Sequence, residues 1–154
     1  MRYTVASLQL VSAHREAVDS VLLPAVTLSF QPELAAEGLA FLRFLTWAEE
    51  IEERLTGRLL LLPPAIQYAP HRSSHDGLEQ HEKIAIHRTI MLLQEYFSYI
   101  FIWALDDRTH AAYQLTVQEN LTTEKLHQNI VLLTNIQDRQ ELYQSILDAW
   151  YAAL

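Results

Sequence analysis

Histidine and carboxylate side chains are the residues of this sequence that could do chemistry. The chain has seven His, 19 Asp plus Glu and no cysteine. A metal site would therefore draw on imidazole and carboxylate, which suit zinc and related divalent ions. Two groups have the right types. Tyr68, His71, Ser73, Ser74 and His75 fall in one polar stretch, and Asp106, Asp107 and His110 fall in another. His71, His75 and Asp106 form the candidate metal set, with Asp107 as a reserve ligand or base. Thr27, Ser29, Thr134 and Asn135 complete the polar candidates for ligand binding.

Other catalytic patterns fail on spacing. His81-Glu82 begins like the H-E-x-x-H zinc motif, but Ala85 stands where the second His belongs. The next one, His87, lies about 120° around a helix from His81 and cannot share its ion. Three glycines, Gly38, Gly57 and Gly77, cannot supply a G-x-G-x-x-G or G-x-x-x-x-G-K-[ST] phosphate loop. No G-x-S-x-G elbow is present, so serine-hydrolase chemistry has no support. Ser73-Ser74-His75-Asp76 holds triad residue types side by side, whereas triad members meet from distant positions.

The elements that would position these residues follow from apolar period and punctuation. Residues 4–19 suit a helix with Thr4 as its cap, and 21–28 form a nearly continuous apolar run interrupted by Pro24. Helical spacing returns over 32–56 through Phe41, Leu45, Ala48, Ile51 (or Glu52) and Leu55, with Pro32 in the first turn and Gly57 as the stop. On that helix the acidic run Glu49, Glu50, Glu52 and Glu53 reads as a solvated face. Residues 58–62 carry four leucines closed by Pro63-Pro64 and predict a buried strand. A loop over 65–76 and a helix over 77–98 follow, then a third buried strand at 100–105.

Tyr113, Leu115 and Val117 alternate with polar residues, which predicts an edge strand with one wet face. A short helix over 122–128, a buried strand at 130–133 and a last helix follow; Asp138 with Glu141 resembles a capping box for that helix. Strands separated by helices need crossovers. The expected fold is therefore α/β, a three-layer α-β-α arrangement with a mostly parallel sheet of about five strands and one antiparallel edge strand. Ligands of such sheets bind beyond the carboxyl ends of the strands, and this rule selects the candidates above. The length of 154 residues fits a single domain spanning 1–154.

Charge and composition exclude several partners. The formal net charge of −8, with 11 scattered Lys plus Arg, argues against nucleic acid and anionic membranes. No apolar run reaches the roughly 20 residues of a membrane-spanning helix. The N-terminal run, diluted by Thr4, Ser7, Gln9 and Ser12, is a poor signal-peptide core, so a cytoplasmic location is expected. Of the aromatic residues, Tyr96, Phe97, Tyr99, Phe101 and Trp103 read as core, while Trp47, Trp150 and Tyr151 are candidates for a contact patch.

Two resemblances carry residues. Ala17-Val18-Asp19-Ser20-Val21-Leu22-Leu23-Pro24 and Leu55-Thr56-Gly57-Arg58-Leu59-Leu60-Leu61-Leu62-Pro63-Pro64, with the length and element order, resemble a bacterial family. It is the domain-of-unknown-function family numbered 2487, from spore-forming Gram-positive bacteria. That resemblance implies an α/β fold and no catalytic residues. Pro63-Pro64 followed by His71 and His75 is similar at fold level to creatininase-type metal amidohydrolases, although their Glu-His-Gly and Gly-Thr-containing segments are missing.

The expectation is a non-catalytic binding or accessory factor needing no cofactor, with a protein partner or a second copy as its partner. The alternative is a metal-dependent hydrolase holding a divalent ion on His71, His75 and Asp106. Ligand contacts are expected from Tyr68, His71, His75, Asp106, Asp107 and Asn135.

Overall fold

The computed structural model describes residues 9, 11–14, 16–29, 34–69, 80–121 and 129–152. In chain order the elements are β1 (Ser20–Ser29), α1 (Leu34–Arg54), β2 (Leu59–Leu61), β3 (Ala65–Ala69), α2 (Gln80–Tyr96), β4 (Tyr99–Ala104), α3 (Asp107–Leu121), β5 (Ile130–Leu133) and α4 (Arg139–Ala152). Residues 11–13 are helical, but the expected first helix does not reach residue 19. Residues 16 and 17 turn, and the amide of Ala17 donates to the carbonyl of His14 at 2.9 Å.

The strands form one sheet in the order β2-β1-β4-β5, with β3 also paired to β1. Every pairing is parallel, as continuous apolar strands joined by helices require. β2 and β3 lie on the same side of β1. Leu22 pairs with Leu61 and Ala25 with Ala65, so Leu62, Pro63 and Pro64 stand opposite only Leu23 and Pro24. This is a bulge of one residue.

The bulge also explains how a proline sits in an inner strand. The amide of Ser20 donates to Arg58, and the Leu22 carbonyl accepts from Leu62, so even-numbered residues of β1 bond toward β2. The Ala25 carbonyl accepts from Leu105, so odd-numbered residues bond toward β4. Pro24 therefore lacks its N–H on the side where the neighbouring strand is interrupted, and no ladder bond to β4 is lost.

Alternation along the strands builds two cores. Val21, Leu23, Ile100 and Ile102 pack on one face against Ile86, Ile90 and Leu93 of α2 and Ala112, Tyr113 and Val117 of α3. Leu22, Leu59, Phe101, Trp103 and Leu133 pack on the other against Ala48 and Ile51 of α1 and Leu142, Ile146 and Trp150 of α4. The result is the expected α-β-α layering. An ion pair of Arg139 with Glu50 at 2.7 Å and the Arg54 guanidinium over the Tyr143 ring tie α1 to α4. Gly57, at φ 97°, turns the chain from α1 into β2.

Several expectations need correction. Residues 65–69, expected as loop, form β3. Residues 113–117, expected as an antiparallel edge strand, lie inside α3. Ala112, Tyr113, Thr116 and Val117 are buried at helical spacing, whereas Gln114, Leu115 and Gln118 are exposed. The alternation of Tyr113, Leu115 and Val117 had one apolar member, Leu115, on the wet side. In the acidic run Glu52 is buried at 4% exposure, so that run is not wholly a solvated face. Tyr96 is exposed at the end of α2.

Trp150 is buried too, and so cannot join a contact patch. Its indole N–H donates to Ser20 Oγ at 2.9 Å, and Ser20 Oγ donates to Asp19 Oδ1 at 2.6 Å. Arg58 Nε binds the same Asp19 oxygen at 3.0 Å, with its guanidinium 4.1 Å from the Trp150 ring. This network closes the amino end of the sheet. Of the three patch candidates, Tyr151 is exposed and Trp47 is half-buried.

Candidate functional site

At the carboxyl ends of β4 and β5 the chain forms a cavity of about 120 Å³. Each wall has a reason to be there. Trp103 is the penultimate residue of β4 and faces α1, where Phe44 meets it edge-on at 5.4 Å and Trp47 stacks on it at 6.4 Å. Asp106 and Asp107 follow β4, and Thr134, Asn135 and Ile136 follow β5. Asn135 has φ 54°, a left-handed conformation that Asn tolerates better than most residues. It turns the chain from β5 toward α4. Asp138 then caps α4 by accepting the Glu141 amide at 2.9 Å, and the Glu141 carboxylate accepts the Gln137 amide at 2.6 Å. The reciprocal cap read from sequence is thus present, shifted by one residue on its return arm.

Asp106 is the N-cap of α3. Its Oδ1 accepts the Thr109 amide at 2.8 Å, and its Oδ2 accepts the Thr109 hydroxyl at 2.6 Å and the Thr27 amide at 2.9 Å. Thr27 and Thr109 hydroxyls lie 2.8 Å apart. Thr27 is an odd-numbered residue of β1 and so directs its amide toward β4, but β4 ends at Ala104. The Asp106 carboxylate takes the place of the next strand carbonyl. Thr27 and Asp106 thus occupy the gap between β1 and β4, where the strand order reverses and where the sheet rule places ligands.

The rim is different. Among the described residues, nothing hydrogen-bonds or pairs with the side chains of Asp107, Thr134 or Asn135. Asp107 and Asn135 are exposed, and Thr134 is half-buried. Among the described residues, no Lys or Arg lines the cavity. Asp106 and Asp107 therefore give it a negative potential that the partial positive charge at the α3 N-terminus only partly offsets.

The other candidates are dispersed. Tyr68 is exposed on β3, paired with Leu28 of β1, and His110 is half-buried in the first turn of α3. His71, His75, Ser73 and Ser74 lie outside the described residues, as do the expected cap Thr4, Pro32 and the expected short helix over 122–128. Of the proposed metal set only Asp106 is described, and among the described residues no three His or carboxylate groups converge to hold an ion. Burial pushes the Tyr113 hydroxyl up from 10.0 to about 12.

Sequence reasoning found Asp106, Asp107, Thr134 and Asn135 from the strand-end rule. It missed Phe44 and Trp103, which read only as core, and Thr109. Asp106 followed three residues later by Thr109 had the spacing of a helix cap and could have identified that pair.

Among the described residues no helix is long and apolar enough to cross a membrane. No protein-family model matches the chain, and neither the curated proteins nor the solved structures yield a match.

Proposed function

We propose that this chain is a non-catalytic binding domain whose partner enters at the carboxyl ends of β4 and β5. The observation that carries this reading is the contrast between Asp106 and its neighbours. Asp106 spends three acceptor sites on the fold, whereas Asp107, Thr134 and Asn135 line the same cavity with polar groups that no described residue engages. Convergent polar groups lining a cavity are one mark of a recognition site. Acid–base chemistry would need a positioned group free to move a proton, and the one held carboxylate is engaged as a cap.

Size supports a partner more than a metabolite. The cavity, at about 120 Å³, is far below the roughly 300–1,000 Å³ that enclose a drug-sized ligand. It suits a single side chain projecting from a protein surface. The metal-hydrolase alternative would ask Asp106 to coordinate an ion while capping α3, which weakens it relative to binding.

Fragment screening by protein-observed NMR tests the reading. Small aromatic and polar fragments should shift amides of residues 103–107 and 134–136 ahead of the rest of the molecule. A screen whose hits cluster elsewhere, or that yields none, contradicts it.

A further inference from the structure

Resting on that binding reading, we propose that the cavity accepts the guanidinium of an arginine side chain presented by a protein partner. Four features of the site favour this occupant. Asp107 places on the rim a carboxylate that no described residue pairs with, in the first turn of α3. The Asp106 carboxylate adds a second negative charge to the lining, and among the described residues no basic one lines the cavity.

The α3 N-terminus would ordinarily welcome an anion, but here its first-turn amide at Thr109 is satisfied internally by Asp106. An anionic ligand would therefore meet two carboxylates with the Thr109 amide already taken. The half-buried Phe44 in the cavity wall gives a planar, delocalised cation an aromatic surface, which guanidinium uses better than ammonium. Asn135 and Thr134 offer side-chain oxygens to the remaining N–H groups. Finally, the formal net charge of −8 favours encounter with a basic partner surface.

The test is a titration of the ¹⁵N-labelled full chain with N-acetyl-arginine-N-methylamide and with its neutral isostere, N-acetyl-citrulline-N-methylamide. The arginine probe should shift amides of residues 105–107 and 134–136 and saturate. Citrulline should bind about fivefold more weakly, as one partly exposed ion pair implies. Asp107→Asn should bring the two probes within about twofold of each other.

Equal binding of the two probes overturns the arginine assignment, and so do arginine shifts spread over the acidic face of α1. If neutral fragments occupy the cavity and arginine does not, the ligand class fails while the binding reading stands. If no probe or fragment shifts these residues, both fail.

Discussion

The Asp106 carboxylate accepts the backbone N–H of Thr27, 79 residues away in sequence, at 2.9 Å. One side chain thereby serves two elements together: it caps the start of α3 and completes the hydrogen bonding of β1 beyond the last residue of β4. The crevice at the reversal of strand order is consequently braced by protein groups, and the unsatisfied polar groups lie one strand further along, between β4 and β5.

Removing that carboxylate should destabilise the fold. Asp106→Ala strands the Thr27 and Thr109 amides and leaves the buried Thr109 hydroxyl only its bond to the Thr27 hydroxyl, for an expected loss of about 2–3 kcal/mol. Thr109→Val should cost about 1 kcal/mol. Because the residues share a bond, urea unfolding of the double variant should show less than the sum of the two losses. Strict additivity would mean that the network is not coupled.

Tyr113 predicts a loss of stability at high pH. Its hydroxyl is protonated in both states below pH 10. Above that, the unfolded chain ionises first while the folded hydroxyl holds its proton to about 12. The unfolded state then binds fewer protons, so stability falls across pH 10–12, by about 2–3 kcal/mol in all. Tyr113→Phe should flatten this part of the curve, as measured by denaturant unfolding at stepped pH.

At the amino end of the sheet, Trp150→Phe keeps most of the buried ring but removes the donor to Ser20. A loss of about 1–2 kcal/mol is expected. Adding Ser20→Ala should cost less in that background than in the wild type, because the orphaned partner is removed as well. Calorimetric melting of the four proteins measures this directly.

Asn135 sits at φ 54° on the rim. Asn135→Ala puts a residue less tolerant of that conformation there and should cost about 1 kcal/mol, while Asn135→Gly should be near neutral. Equal effects of the two substitutions would indicate that the turn is not strained.

Much of the fold was legible because long apolar runs admit few interpretations. Leu59 to Leu62 between Gly57 and Pro63, and Ile100 to Ala104 before Asp106, identify central strands without reference to tertiary contacts. Segments 65–69 and 113–117 were misread for opposite reasons. β3 is short, with Ile66 and Tyr68 exposed, and takes its strand form from pairing with β1 across the Pro63-Pro64 bulge. The alternation at 113–117 is local and is overruled by the cap at Asp106 and by packing of Tyr113 and Val117 on the sheet.

The polar half of the site was legible from the strand-end rule. Its aromatic half was not, because Phe44 comes to Trp103 from another layer. The difference between a committed Asp106 and an uncommitted Asp107 rests on Thr109, which cap spacing connects to Asp106, and on Thr27, which no local pattern connects to either.

The central claim is that the cavity beside Trp103 and Thr134 is the recognition site. It is tested most directly by filling that cavity. Thr134→Phe places a ring among its lining residues, and its urea midpoint relative to wild type reports whether the fold is kept. With the fold intact, the account predicts that fragment-induced shifts at residues 103–107 and 134–136 disappear. Undiminished binding at those residues in the filled variant would contradict it.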